Sequence, residues 1–293
     1  QSNIKVHNFD TNRFSKFFVN DFEWQSNDLI FNSLINNKFL GKLKNINYEV
    51  KNIDIFKDDT SHELFGALGL LSKIDLIKEY GNTIKSLTPK LLLKYAPGSM
   101  RKEKSGSRLN SNEAFSLDRV NKIDNFETGS TATFGFDYSI KKKKIEKFNF
   151  SVAQIISEKE NKKFSSETGL DEKASDLVGS SSFNLNDKIK LNYNFSVDQN
   201  YQELNYSDFG STFVIGNANL DFNYIEEDKH IGNQEYIKTK LAYNNNDKGL
   251  ISFETKRNLI TNSSEFYDLS YEYINDCLRA GLVYRREFYN DSE

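Results

Sequence analysis

The residues best able to do chemistry in this chain are three histidines, one cysteine and two short charged runs. His62-Glu63 opens a zinc-protease-like H-E-x-x-H pattern, but the second ligand is missing, because position 66 is Gly66. Neither a G-x-S-x-G nucleophile elbow nor a phosphate-cradling G-x-x-x-x-G-K loop occurs. A Ser–His pair assembled across strands is the hydrolytic arrangement this composition leaves open. His7 stands apart, and His62 and His230 fall in expected loops, where solvated surface is the plain reading. The basic run Lys141–Lys144 invites a phosphate or acidic-lipid reading, against that of a solvated cluster in a six-residue hairpin turn. Glu226-Glu227-Asp228 gathers three acids without the spacing of a calcium loop. The expectation is a protein without catalysis, cofactor or metal centre.

Cys277 is the sole cysteine, which excludes an internal disulfide framework and any Cys-based zinc cage. Such a residue is either a small buried hydrophobe or, in an oxidising compartment, a thiol that pairs with another chain or another segment of its own. It follows the short connection expected at 275–276 and starts the last strand-like stretch.

The elements that carry these residues read as strands. In 189–198, Ile189, Leu191, Tyr193, Phe195 and Val197 alternate with Lys190, Asn192, Asn194, Ser196 and Asp198. A strand segregates the two sets onto opposite faces, whereas a helix scatters both around its axis. The pattern returns in Phe134, Phe136, Tyr138, Ile140 and in Tyr267, Leu269, Tyr271, Tyr273, with Asn/Asp turns between such runs. We expect about fourteen strands, near 14–24, 39–51, 63–79, 86–97, 129–140, 147–157, 177–185, 189–198, 201–209, 213–226, 234–244, 248–258, 264–274 and 277–289. Residues 63–79 read less cleanly, because Leu64, Leu68 and Leu70 share the stretch with Phe65, Ala67 and Leu71, and both faces are apolar.

Composition agrees. There are 24 Phe and 15 Tyr, with aromatics at 14% and hydrophobic residues at 37%, too apolar for a disordered chain and biased towards strands. Lys and Arg number 39 against 42 Asp and Glu, a net charge of −3 that gives no reason to expect nucleic acid. No stretch is long and apolar enough for a transmembrane helix. Many strands are longer than the five or six residues usual in soluble sheets and match the reach of a tilted strand across a bilayer. Tyr138, Tyr201, Tyr224, Tyr243 and Tyr284 fall at expected strand ends, as an interfacial girdle requires. Long connections (52–62, 98–128, 158–176, 227–233, 259–263) alternate with short ones (80–85, 141–146, 186–188, 210–212, 245–247, 275–276), the rhythm of extracellular loops and periplasmic turns. Two connections break it: 25–38 is too long for its side and 199–200 too short. The fold class is all-β, an incomplete antiparallel transmembrane β-barrel. A porin-like channel and a soluble β-sheet binding module are the alternatives.

Several stretches resemble the LPS-assembly protein LptD family, the outer-membrane lipopolysaccharide translocon. Leu87-Thr88-Pro89-Lys90 leading to Tyr95-Ala96-Pro97-Gly98-Ser99-Met100-Arg101 is similar to a strand of that family and the opening of its long loop. Phe115-Ser116-Leu117-Asp118-Arg119, Asp124, Glu127-Thr128-Gly129 and Phe134-Gly135 resemble its return into the next strand. Ser175-Asp176-Leu177-Val178-Gly179 and the stretch from Tyr271 to Arg286 resemble later landmarks.

The resemblance implies a very large barrel, of about two dozen strands, in the outer membrane of a Gram-negative bacterium. Residues 1–293 would be its C-terminal part, with a long extracellular loop at 98–128 and without the N-terminal periplasmic jelly-roll domain, the first strands and the last strand. The implied partners are lipopolysaccharide, an LptE-like plug lipoprotein and, through the missing domain, an LptA-like periplasmic bridge protein. The family often carries two adjacent cysteines that pair with the N-terminal domain. Here Asp276 occupies the first position and only Cys277 matches, which implies at most one such disulfide.

Overall fold

A computed structural model of the chain describes residues 1–9, 13–31, 34–53, 56, 59–229, 232–245, 249–274 and 277–288. Among them are seventeen strands: β1 (Ser2–Phe9), β2 (Arg13–Gln25), β3 (Leu29–Phe31), β4 (Ile35–Lys51), β5 (Asp59–Ile74), β6 (Leu76–Tyr80), β7 (Thr83–Ala96), β8 (Gly129–Lys142), β9 (Ile145–Ser157), β10 (Leu177–Asn186), β11 (Ile189–Val197), β12 (Leu204–Ile215), β13 (Ala218–Glu227), β14 (Gln234–Asn245), β15 (Gly249–Asn258), β16 (Ser263–Ile274) and β17 (Arg279–Glu287). Two single 3₁₀ turns, Glu113–Phe115 and Ser166–Thr168, complete the described secondary structure. The strands form two compact units, one of residues 1–77, 86–137 and 151–178, the other of 78–85, 138–150 and 179–293.

In the first unit β1 pairs with β2, β2 and β3 with β4, β4 with β5, and β5 with β7, all antiparallel. The β4–β5 ladder runs from Ile35↔Ile74 to Val50↔Asp59, far longer than a soluble sheet requires. β6 continues β5 after a break at Asp75, whose carboxylate accepts from Thr88 Oγ1 at 2.9 Å and Asn36 Nδ2 at 3.3 Å. Ser15, Phe17 and Val19 on β2, Lys44, Ile46, Tyr48 and Val50 on β4, and Leu92, Lys94 and Ala96 on β7 are buried on one face. That inner face is covered by the connection 97–128, through Leu117, Ile123 and Phe126. Phe18, Phe22, Trp24, Phe39, Leu43, Leu64, Leu68, Leu93 and Tyr95 are exposed on the other. The double apolarity of 63–79 has its cause here: Phe65 and Ala67 pack under the long connection, while Leu64 and Leu68 stand on the outer face.

In the second unit β11 to β17 pair in sequence order. The register places Phe213, Leu220, Leu241, Phe253, Leu269 and Tyr284 side by side in one row. One residue along every strand, the row Thr212, Asp221, Lys240, Glu254, Asp268 and Arg285 stands on the opposite face. The polar row is knitted together: Thr212 Oγ1 donates to Asp221 at 2.7 Å, Lys240 lies 3.6 Å from Glu254, and Arg285 Nε donates to Asp268 at 2.6 Å.

The strand expectations need four corrections. β1 was not anticipated, because only Ile4 and Val6 mark its apolar phase. The span 25–38 is partly filled by β3 and the start of β4, leaving 26–28 between β2 and β3 and 32–34 between β3 and β4. The break placed at 210–212 falls inside β12, and the turn is Gly216-Asn217, with Gly216 at φ +59°. Gly210-Ser211 is small for packing rather than for turning, since a Cβ on Gly210 would lie 2.3 Å from Asn192 Oδ1. The connection before β12 is 198–203, not 199–200. Asp198 Oδ1 accepts from the backbone N–H groups of Gln202 (2.7 Å) and Glu203 (2.9 Å), and these bonds, Glu203's first, lower its carboxyl pKa. Tyr201 therefore sits in a connection rather than at a strand end. With these corrections both irregularities in loop length disappear: from 52–58 to 246–248, each longer connection is followed by one of two or three residues.

Candidate functional site

The long connection 97–128 is held to the inner wall by side chains that the strands supply. Leu117 seats on Gly69, where a Cβ would stand 2.6 Å from Leu117 Cδ2, and Phe115 lies over Gly135, 3.0 Å from where a Cβ would be. Lys90 Nζ approaches the Phe115 ring at 4.3 Å and Asp137 at 2.8 Å. Phe126 is fully buried and stacks on Phe65 at 6.0 Å. Beyond it, Met100, Leu109 and Ala114 join Phe164 and Leu170 of the 158–176 connection over Ala153, Ile155 and Val178. Backbone bonds tie the two connections: Glu103 N–H donates to Lys163 O at 2.7 Å and Leu109 N–H to Thr168 O at 3.3 Å.

Between this layer and the wall lies a buried ionic network. Glu127 receives Arg119 Nε at 2.7 Å and the Arg119 backbone N–H at 3.0 Å, and lies 2.8 Å from Lys94 Nζ. Arg119 also donates to Thr131 Oγ1 at 3.2 Å. Lys44 lies 3.3 Å from Asp118 and donates to the carbonyl of Asn125 at 3.1 Å and that of Lys122. Asp118 in turn accepts the Glu127 backbone N–H at 3.1 Å. Arg101 pairs with Glu63 and stacks its guanidinium 4.6 Å from the Phe56 ring centroid. Burial opposes ionisation of Glu127, but the charges of Arg119 and Lys94 outweigh it and hold the carboxyl down at about 2. The network fixes a connection against a wall; it presents no nucleophile–base pair.

The residues singled out from sequence behave less chemically than their types allow. His62 lies in β5, not in a loop, with Nδ1 2.6 Å from Asn47 Oδ1, and His7 lies opposite Ser15 in β1. His230 is outside the described residues. Lys141 and Lys142 end β8, and Lys143 and Lys144 alone make the turn, at φ +51° and +65°, tighter than the six residues expected. The strand splits the acidic triplet, since successive side chains of Glu226 and Glu227 point to opposite faces. Glu226 opposes Glu235, and Glu227 opposes Gln234 and is buried. No group of three or more His, Cys, Asp or Glu able to hold a metal occurs among the described residues. Cys277 is exposed, just ahead of β17, so the buried-hydrophobe reading does not apply.

Sequence reasoning missed the ionic network. Its signal was available: Lys44 shares a face with Ile46, Tyr48 and Val50, and Lys94 shares one with Leu92 and Ala96. A lysine in phase with a buried apolar row requires a partner from elsewhere.

Long antiparallel strands with an apolar face on one side, a polar or covered face on the other, and connections of alternating length define the class: the wall of an outer-membrane β-barrel. The LptD family, described as LPS transport system D, matches residues 56–249, more than half of the chain. The chain belongs to that family, and its setting is therefore lipopolysaccharide transport in the outer membrane. No curated protein matches it. Among solved structures, three mutant forms of the Rh. blastica porin are similar at 9% identity, covering 94% of this chain and 90% of theirs, with TM-scores of 0.33, 0.32 and 0.32. These likenesses are too remote to bear on function.

Proposed function

We propose that this chain is a conduit wall along which lipopolysaccharide passes with its sugars on the polar face and its acyl chains on the apolar one. The observation that carries the reading is the pair of rows one residue apart, Leu220–Leu241–Phe253–Leu269 and Asp221–Lys240–Glu254–Asp268. Hydroxyls and phosphates exchange hydrogen bonds with such a charged, solvated row. Acyl chains must stay in apolar surroundings, because exposing them costs about 0.8 kcal/mol per CH₂. No covalent step is required, and the protein acts without catalysis or cofactor.

The finer partners follow from family membership as expectations of the whole protein: an LptE-like plug lipoprotein and an LptA-like bridge protein reached through a periplasmic N-terminal domain. A disulfide from Cys277 to that domain belongs to the same reading, and the exposure of Cys277 in the connection 275–278 supports it. Depletion of the full-length protein tests the function. Newly made lipopolysaccharide should fail to reach the cell surface while outer-membrane porins still assemble. Normal surface display during depletion would overturn the reading, and so would large ohmic conductance steps from purified protein in planar bilayers, the mark of a porin-like channel.

A further inference from the structure

The outer face of the first unit carries an apolar depression. Along the row Trp24–Gly41–Leu68–Tyr95, and along the adjoining row Phe22–Leu43–Gly66, one position in each is glycine. The missing side chains leave a depression of about 650 Å³ floored by the β4–β5 backbone and walled by Phe22, Trp24, Leu43, Leu68, Tyr95 and Pro97. Trp24, Leu68 and Tyr95 are 61%, 68% and 59% exposed, so the walls stand open among the described residues. The two glycines are not demanded by the packing of the sheet. A Cβ on Gly41 would meet only Trp24 at 3.5 Å and Leu68 at 3.9 Å, ordinary contacts. On Gly66 it would meet the mobile end of Leu43 at 2.9 Å. The notch is thus a vacancy that the fold could fill with small adjustments and does not.

We infer that this glycine-floored groove seats one acyl chain of lipopolysaccharide against the outside of the barrel. The inference rests on the proposed function. The groove is continuous with the apolar belt that faces the bilayer in a family of outer-membrane barrels, so its occupant is a hydrocarbon chain of the surrounding leaflet. Tyr95 and Pro97 lie where β7 passes into the long connection 97–128, and the long connections of such barrels are extracellular, so the β7 side of the groove is turned towards the outer leaflet. Trp24 and Tyr95 bracket it with amphipathic rings, the type that settles at a membrane–water interface. A chain lying there replaces contacts that a flat wall would make with exchanging lipid by contacts on three sides.

The test places the photo-crosslinker p-benzoylphenylalanine at Leu68 of the full-length protein in cells, with Leu269, on the apolar belt of the second unit, as the comparison position. Adducts are identified by immunoblotting for lipopolysaccharide and by mass spectrometry for phospholipid. The expected result is a lipopolysaccharide adduct at Leu68 about tenfold stronger than at Leu269, reduced to the Leu269 level by Gly41→Leu in protein that still shows heat-modifiable migration. Should Gly41→Leu fail to assemble, Gly41→Ala serves, with a smaller but measurable drop. Equal adducts at the two positions, a phospholipid adduct at Leu68, or an adduct indifferent to the assembled Gly41 variant overturns the proposal. Surface display on depletion is read separately, so loss of the groove and loss of the transport reading remain distinguishable.

Discussion

Glu127, in the longest connection, stands 2.8 Å from the ammonium of Lys94, a residue of β7 that faces inward. Both are buried, and Arg119 holds the other side of the carboxylate. The arrangement makes the connection part of the wall. Replacing a whole buried ion cluster by apolar residues can be neutral, but removing one member leaves charges without compensation.

Glu127→Ala should therefore weaken the attachment of 97–128 by about 3–5 kcal/mol, leaving Arg119 and Lys94 facing each other. Protease added outside intact cells should cut the variant within 97–128 under conditions where the parent resists. An uncut variant with unchanged heat-modifiable migration would show that apolar seats such as Leu117 on Gly69 are sufficient alone.

The same carboxylate sets a pH limit. Its folded pKa is held down at about 2, below the ordinary value of 4.5. A depressed carboxyl contributes stability that is fully present above its unfolded pKa and is lost as pH falls through the folded one. Protection of 97–128 should thus be constant from neutrality down to about pH 5, and fall between about 4.5 and 2. In Glu127→Gln that decline should be absent, from a lower starting level. Protection measured by proteolysis with an acid-active protease reads both curves.

Face assignment gives a third prediction. Leu191 lies on the apolar phase of β11, whereas Asn192 lies on the polar one with its amide over Gly210. Leu191→Arg should destabilise the barrel by about 2–4 kcal/mol towards the bilayer midplane, and Asn192→Arg should be close to neutral, because its charge stays hydrated. Heat-modifiable migration compares the two; equal tolerance would contradict the assignment.

Cys277 gives the fourth. In the full-length protein it is expected to form a disulfide with the periplasmic domain, closing a loop of several hundred residues, with a stabilisation of about 4–5 kcal/mol in the entropy model. Non-reducing electrophoresis should show a reductant-dependent shift that Cys277→Ser abolishes. A shift that persists in the variant would assign the bond to other cysteines.

Much of the wall was legible because strand periodicity is local: Leu191 and Asn192 declare their faces from their neighbours alone. What failed was non-local. Gly210 reads as a turn residue until Asn192 of the neighbouring strand is seen to lie across it. Leu64 and Phe65 blur the period of β5, because one meets the bilayer side and the other meets Phe126, brought from far along the chain. The ionic network was hidden for the same reason, with Lys44 and Asp118 separated by 74 positions.

The two rows of the second unit, apolar and polar, differ by a single step along each strand. A ladder so arranged has a parity rule for change in length. One residue inserted within β13 or β14 exchanges every side chain beyond it between hydrocarbon and water, whereas two restore the phase. Lengthening at 97–128 or 158–176 leaves the phase of every strand untouched. Related chains should therefore keep the strand phase when those connections change length, and within strands should gain or lose residues in pairs or as whole hairpins.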